Sequence, residues 1–121
     1  MFEHWIHTDL KRLPDVKKLG NVFSADDGAN KIGVEVTEDG VPVTLSGTVK
    51  AWIVKPDGTT IKETTNVGLS GNTAWVVLPA SAYTVVGQLG VYLKLISGST
   101  VTTLGGVEGY VYRSRTSNIL S

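Results

Sequence analysis

The 121-residue chain contains no cysteine. That removes disulfides, thiolate nucleophiles and cysteine-type zinc sites together. Charge is also scarce. Charged residues make up 18% of the chain, and 11 basic residues balance 11 acidic ones to a net charge of zero. Without a basic excess, nucleic acid and anionic membrane are not expected partners. Near-zero charge also gives little protection against self-association. No apolar run approaches the roughly 20 residues needed to cross a bilayer. Met1 to Asp9 carries Glu3, His4, His7 and Asp9 where a signal peptide would be apolar, so synthesis in the cytosol is expected. Finally, no convincing helical pattern exceeds two turns, and Pro14 argues against a helix running through the first 18 residues.

What is present is an all-β pattern. Hydrophobic residues are 41% of the chain, enough for one modest core. From Gly20 onward, clusters of Gly, Asn, Asp and Ser recur about every 8–12 residues, as in sandwiches and barrels. Lys31 to Thr37 alternates, with Ile32, Val34 and Val36 on one side. Val49 to Lys55, Thr59 to Thr65 and Thr73 to Leu78 read as further strands. Pro56-Asp57-Gly58 and Leu69-Ser70-Gly71-Asn72 read as turns. Pro79 to Val86 suits a short helical corner, where the Tyr83 hydroxyl would tie down backbone as in a tyrosine corner. Gln88 to Ile96 and Val101 to Tyr112 form the clearest hairpin. Val101, Thr103, Val107 and Val111 share a face of its second strand, and Gly105, Gly106 and Gly109 signal a bulge. The expected architecture is an immunoglobulin-like antiparallel β-sandwich of about seven or eight strands with an N-terminal extended arm. The expected divisions are an arm over 1–18, a sandwich over 19–113 and a polar tail over 114–121.

The sequence offers little chemistry. His4 and His7 would need a helical turn to face one metal. Asp26-Asp27-Gly28 lacks the ligand spacing of a calcium loop. The carboxylates fall mainly in turns or on solvent faces, no G-x-S-x-G elbow occurs, and the Gly105–Gly109 run lacks the lysine of a phosphate loop. No catalytic residue, metal or cofactor is expected. Trp52 and Trp75 fall within strands and read as core. The residues that do stand out are apolar. Phe2, Trp5, Ile6, Leu10 and Leu13 sit outside any evident sheet. They would either extend the core of their own chain or tether it to a neighbour. Tyr92, Tyr110 and Tyr112 lie opposite the main apolar face of their hairpin. There they would complete a second core or be covered by another subunit, since aromatics are enriched at interfaces. Exposed aromatics also leave open a carbohydrate-binding module.

Several segments carry a family resemblance: Ala29-Asn30-Lys31-Ile32-Gly33-Val34, the Leu45-Ser46-Gly47 step, Trp75 before Leu78-Pro79, and the end Tyr110-Val111-Tyr112-Arg113. Over nearly its whole length the chain resembles short structural proteins of tailed phages and prophages of Gram-positive bacteria. It is also similar to the N-terminal domain of siphophage upper baseplate proteins, which attaches receptor-binding proteins to the tail. The resemblance implies a β-sandwich that assembles with copies of itself and docks on other phage structural proteins in the virion. A baseplate or tail adaptor, a capsid decoration protein and the base of a head fibre all fit it. The 121 residues include neither the coiled-coil stalk nor the distal receptor-binding domain of the longer proteins.

Overall fold

A computed structural model describes residues 2–9, 16–18 and 30–111, with backbone alone at Phe2 and at 16–18. Among the described residues, ten strands form two sheets. β1 (Phe2–Asp9), β3 (Asn30–Glu38), β4 (Val41–Pro42), β7 (Val67–Ser70) and β8 (Thr73–Val77) make sheet A. β2 (Val16–Lys18), β5 (Thr48–Val54), β6 (Thr60–Glu63), β9 (Gly87–Ser97) and β10 (Thr100–Val111) make sheet B. The order across sheet A is β1-β3-β8-β7, with β4 pairing the end of β3, and across sheet B it is β2-β10-β9-β5-β6. The hairpins β5–β6, β7–β8 and β9–β10 go in turn to sheets B, A and B. Each therefore turns its apolar side towards the other sheet. A 3₁₀ turn over Ala80–Tyr83 carries the chain from β8 to β9, as the small residues there suggested.

The core follows the two-residue period. Ile32, Val34 and Val36 of β3 are fully buried in one core cluster with Ile53, Val91 and Leu93 of sheet B. The all-β sandwich expected from the sequence is the fold observed. Three details differ. First, residues 2–9 and 16–18 of the expected arm are strands of the two sheets. β1 pairs with β3 in parallel, from Phe2↔Asn30 to Asp9↔Thr37, and β2 pairs with β10 in parallel. Ile6 is 4% exposed and belongs to the core of its own chain. The sequence hides this because a parallel pair is joined by a long crossover instead of a short turn. Second, the two halves of β10 face opposite ways. The bulge foreseen from its glycines falls between Thr103 and Gly105. It leaves Val101, paired with Ile96, facing outward and 57% exposed, while Leu104 and Val107 are buried. One extra residue reverses the side-chain parity, so Val101 and Thr103 do not share a face with Val107 and Val111. Third, the Tyr83 hydroxyl accepts a hydrogen bond from the Asn30 side-chain amide (3.0 Å), and His4 Nε2 lies 3.2 Å from Asn30 Oδ1. The corner is thus tied to a side chain that also meets β1.

β1 is fastened at its far end as well. The Asp9 carboxylate accepts from Asp39 N (3.2 Å), Gly40 N (3.0 Å) and Thr37 Oγ1 (3.2 Å). These amides belong to the β3–β4 turn, where Asp39 and Gly40 both have positive φ and their N–H groups point out of the ladder.

Candidate functional site

Strand alternation that sends apolar side chains inward sends a second set onto the outer surfaces of the sandwich. In sheet A the pairing registers place Trp5, Gly33, Trp75 and Gly68 in one row across four strands. The Trp5 ring lies on Gly33 and the Trp75 ring on Gly68, so closely that a Cβ on either glycine would collide with the indole. A ring laid over a neighbouring strand's glycine covers exposed backbone and gains contact area that an upright side chain would lack. The Lys31 ammonium stands over both indoles, 4.8 Å from the Trp75 centroid and 5.7 Å from that of Trp5, within cation–π reach. Around them lie carboxylates. Glu3 accepts from Trp5 Nε1 (3.0 Å), and Glu35 lies 3.1 Å from His7 Nδ1.

Sheet B repeats the device with other residues. Trp52 pairs with Lys62 on one side and Tyr92 on the other, and Tyr92 pairs with Gly106. The Tyr92 side chain lies over Gly106 and Gly90, where added Cβ atoms would come within 2.6 Å of its ring and 2.8 Å of its hydroxyl respectively. Its hydroxyl donates to Glu108 Oε1 (3.1 Å), and Gln88 Nε2 donates to Glu108 Oε2 (3.2 Å). Burial first, then the bond to Glu108 and its negative charge, raises the Tyr92 phenol above its ordinary pKa. The ammonium groups of Lys94 and Lys62 lie 4.6 Å and 5.8 Å from the Trp52 centroid. Lys50 and Lys94 are direct cross-strand partners, an arrangement of like charges that costs stability. Beside this face, Val54, Pro56, Gly58, Gln88, Tyr92 and Glu108 help line a depression of about 280 Å³.

The residues singled out from sequence fall into distinct places. Trp5 is half-buried on the outer face of sheet A, whereas Ile6 points into the core. Their strand therefore splits what looked like one apolar set. Phe2 lies in β1, and Leu10, Leu13 and Tyr112 lie outside the described residues. Tyr92 and Tyr110 share the outer face of sheet B, as expected, with Tyr110 48% exposed. His4 and His7 cannot face one metal from this strand: His4 turns toward Asn30 and His7 toward Glu35 on the opposite face. Trp52 and Trp75 are corrections, since both lie on outer faces and only half-buried. Parity was the signal available. Ala51 and Ile53 flank Trp52, Ala74 and Val76 flank Trp75, and all four flanking residues are fully buried. The lysines around Trp52 went unnoticed because they are far apart in the sequence.

No family model matches the sequence, and no curated protein matches it. The fold, however, is similar to a solved one, the N-terminal domain of phage TP901-1 ORF48. That likeness has a TM-score of 0.54 and 17% sequence identity, and it covers 93% of this chain and 100% of that one. At such identity it is a likeness of fold.

Proposed function

We propose that the chain is a structural module of a phage virion, docking on the tail baseplate or on the capsid and working by contact instead of catalysis. The observation that carries this reading is the end-to-end likeness to the N-terminal domain of a phage protein, which takes in the whole of that domain. The outer faces support it. Each carries aromatic rings laid on glycine, and aromatics are enriched where protein surfaces meet. A carbohydrate platform needs open ring faces. Here lysine ammonium groups stand over Trp75 and Trp52, which favours the protein-docking reading.

The test is to find the chain in purified particles. Mass spectrometry of gradient-purified virions should detect it at a fixed ratio to the other structural proteins. Immunogold labelling should then place it at one position on head or tail. A chain absent from purified virions but abundant in the lysate would overturn the proposal.

A further inference from the structure

The two outer faces carry opposite charge. Among the described residues, the face of sheet A presents the carboxylates of Glu3, Asp9 and Glu35 against the single ammonium of Lys31. The face of sheet B presents Lys50, Lys62 and Lys94 against the single carboxylate of Glu108. The chain as a whole is neutral, so the asymmetry is one of placement. Each face centres on tryptophan. The three lysines of sheet B also have no carboxylate partner among the described residues, and Lys50 stands directly opposite Lys94. Repulsion of that kind costs an isolated molecule stability and becomes useful when an acidic surface covers it. The same chain supplies such a surface on its opposite side, aromatic and of the right sign.

We propose that copies of this chain associate face to back, with the Lys50–Lys62–Lys94 face around Trp52 seated on the Glu3–Glu35 face around Trp5 and Trp75 of a second copy. The proposal rests on the assembly role above and names its surfaces. Such a contact is heterologous, because each copy uses two different patches, so it builds rings or stacks instead of closed two-fold dimers. The lysines drawn towards carboxylates leave the indole of Trp52 free to meet the aromatic row of the partner. Electrostatic complementarity sets the register and the pairing specificity.

A mixing experiment on the full chain decides it. One variant carries Lys50→Glu, Lys62→Glu and Lys94→Glu, and the other carries Glu3→Lys and Glu35→Lys. All substituted side chains face outward, and circular dichroism confirms that each variant is folded before use. By sedimentation velocity at low salt, the wild type should form species larger than a monomer, and these should dissociate as salt screens the contact. Each variant alone should associate at least about tenfold more weakly. Mixed, they should associate again, because the acidic sheet A face of the first and the basic sheet B face of the second are both intact. A wild type that stays monomeric at low salt would overturn the pairing, as would variants that associate like the wild type or a mixture that does not recover. A monomeric chain still found in purified virions would overturn this contact while leaving the assembly role standing.

Discussion

The two outer faces of the sandwich solve one structural problem in the same way and differ in charge. Each lays an aromatic ring on a glycine of the adjacent strand: Trp5 on Gly33 and Trp75 on Gly68 in sheet A, and Tyr92 on Gly106 in sheet B. Each also brings lysine ammonium to tryptophan. In sheet A the surrounding groups are acids with hydrogen-bonding partners at hand. In sheet B they are lysines placed opposite one another. A shared device points to a common need, which is to cover glycine backbone on the outer surface. Opposite charge points to different surfaces to be met. Burial alone would not separate the two, since Trp5, Trp75, Trp52 and Tyr92 are all half-buried.

The comparison requires β1 to be a true member of sheet A, and that is where the largest effect is expected. Ile6→Ala should destabilise the fold by about 2–5 kcal/mol in chemical denaturation. A loss below about 0.5 kcal/mol would mean that β1 is not packed on the core and that face A is incomplete. The glycines come next. A Cβ on Gly106 would meet the Val91 carbonyl oxygen at 2.7 Å as well as the Tyr92 ring, whereas the atoms nearest a Cβ on Gly68 all belong to the Trp75 indole. Overpacking costs about 1–3 kcal/mol, so Gly106→Ala should fall near the top of that range and Gly68→Ala near the bottom. The reverse order would show that the sheet A ring is the more rigidly held.

Smaller effects bear on the inner side of sheet B and on its charges. Glu63 is buried on β6, and its Oε1 accepts from Thr65 N (3.0 Å), Thr65 Oγ1 (2.8 Å) and Asn66 N (3.0 Å). Burial opposes its ionisation, but these hydrogen bonds together hold its pKa below the ordinary value. The stabilisation is therefore complete above the unfolded value of about 4.3 and is lost as pH falls through the lower folded one. Glu63→Gln should cost about 1–2 kcal/mol at neutral pH, and the gap from the wild type should narrow below about pH 4. The smallest effect has the opposite sign. Lys50→Thr removes like-charge repulsion against Lys94 and should stabilise the isolated chain by about 0.2–1 kcal/mol while weakening self-association. A variant that loses both stability and association would show that Lys50 serves the fold itself.

Period-two alternation made most of the interior legible. Val49, Ala51 and Ile53 or Leu89, Val91 and Leu93 can be read inward directly from their spacing, and the β10 bulge from its glycines. The same parity places Trp52 and Trp75 outside, but the general tendency of tryptophan to be buried points the other way. The parity was the better guide, because glycine on the neighbouring strand lets an outward ring lie flat. β1 was not legible, since its partner β3 is more than twenty residues away and the pairing is parallel. The charge pattern was hidden for a related reason: Lys50, Lys62 and Lys94 lie on three strands, and only register brings them together around Trp52.

The docking account stands on the opposite charge of the two faces, which tryptophan fluorescence can read directly. Two variants are compared in dilute solution at low salt: Trp5→Phe with Trp75→Phe, which leaves Trp52, and Trp52→Phe, which leaves the sheet A pair. Quenching by iodide relative to caesium reports the local potential. The account predicts that iodide is the better quencher of Trp52 and caesium the better quencher of Trp5 and Trp75. The same iodide-to-caesium ratio in both variants would contradict it.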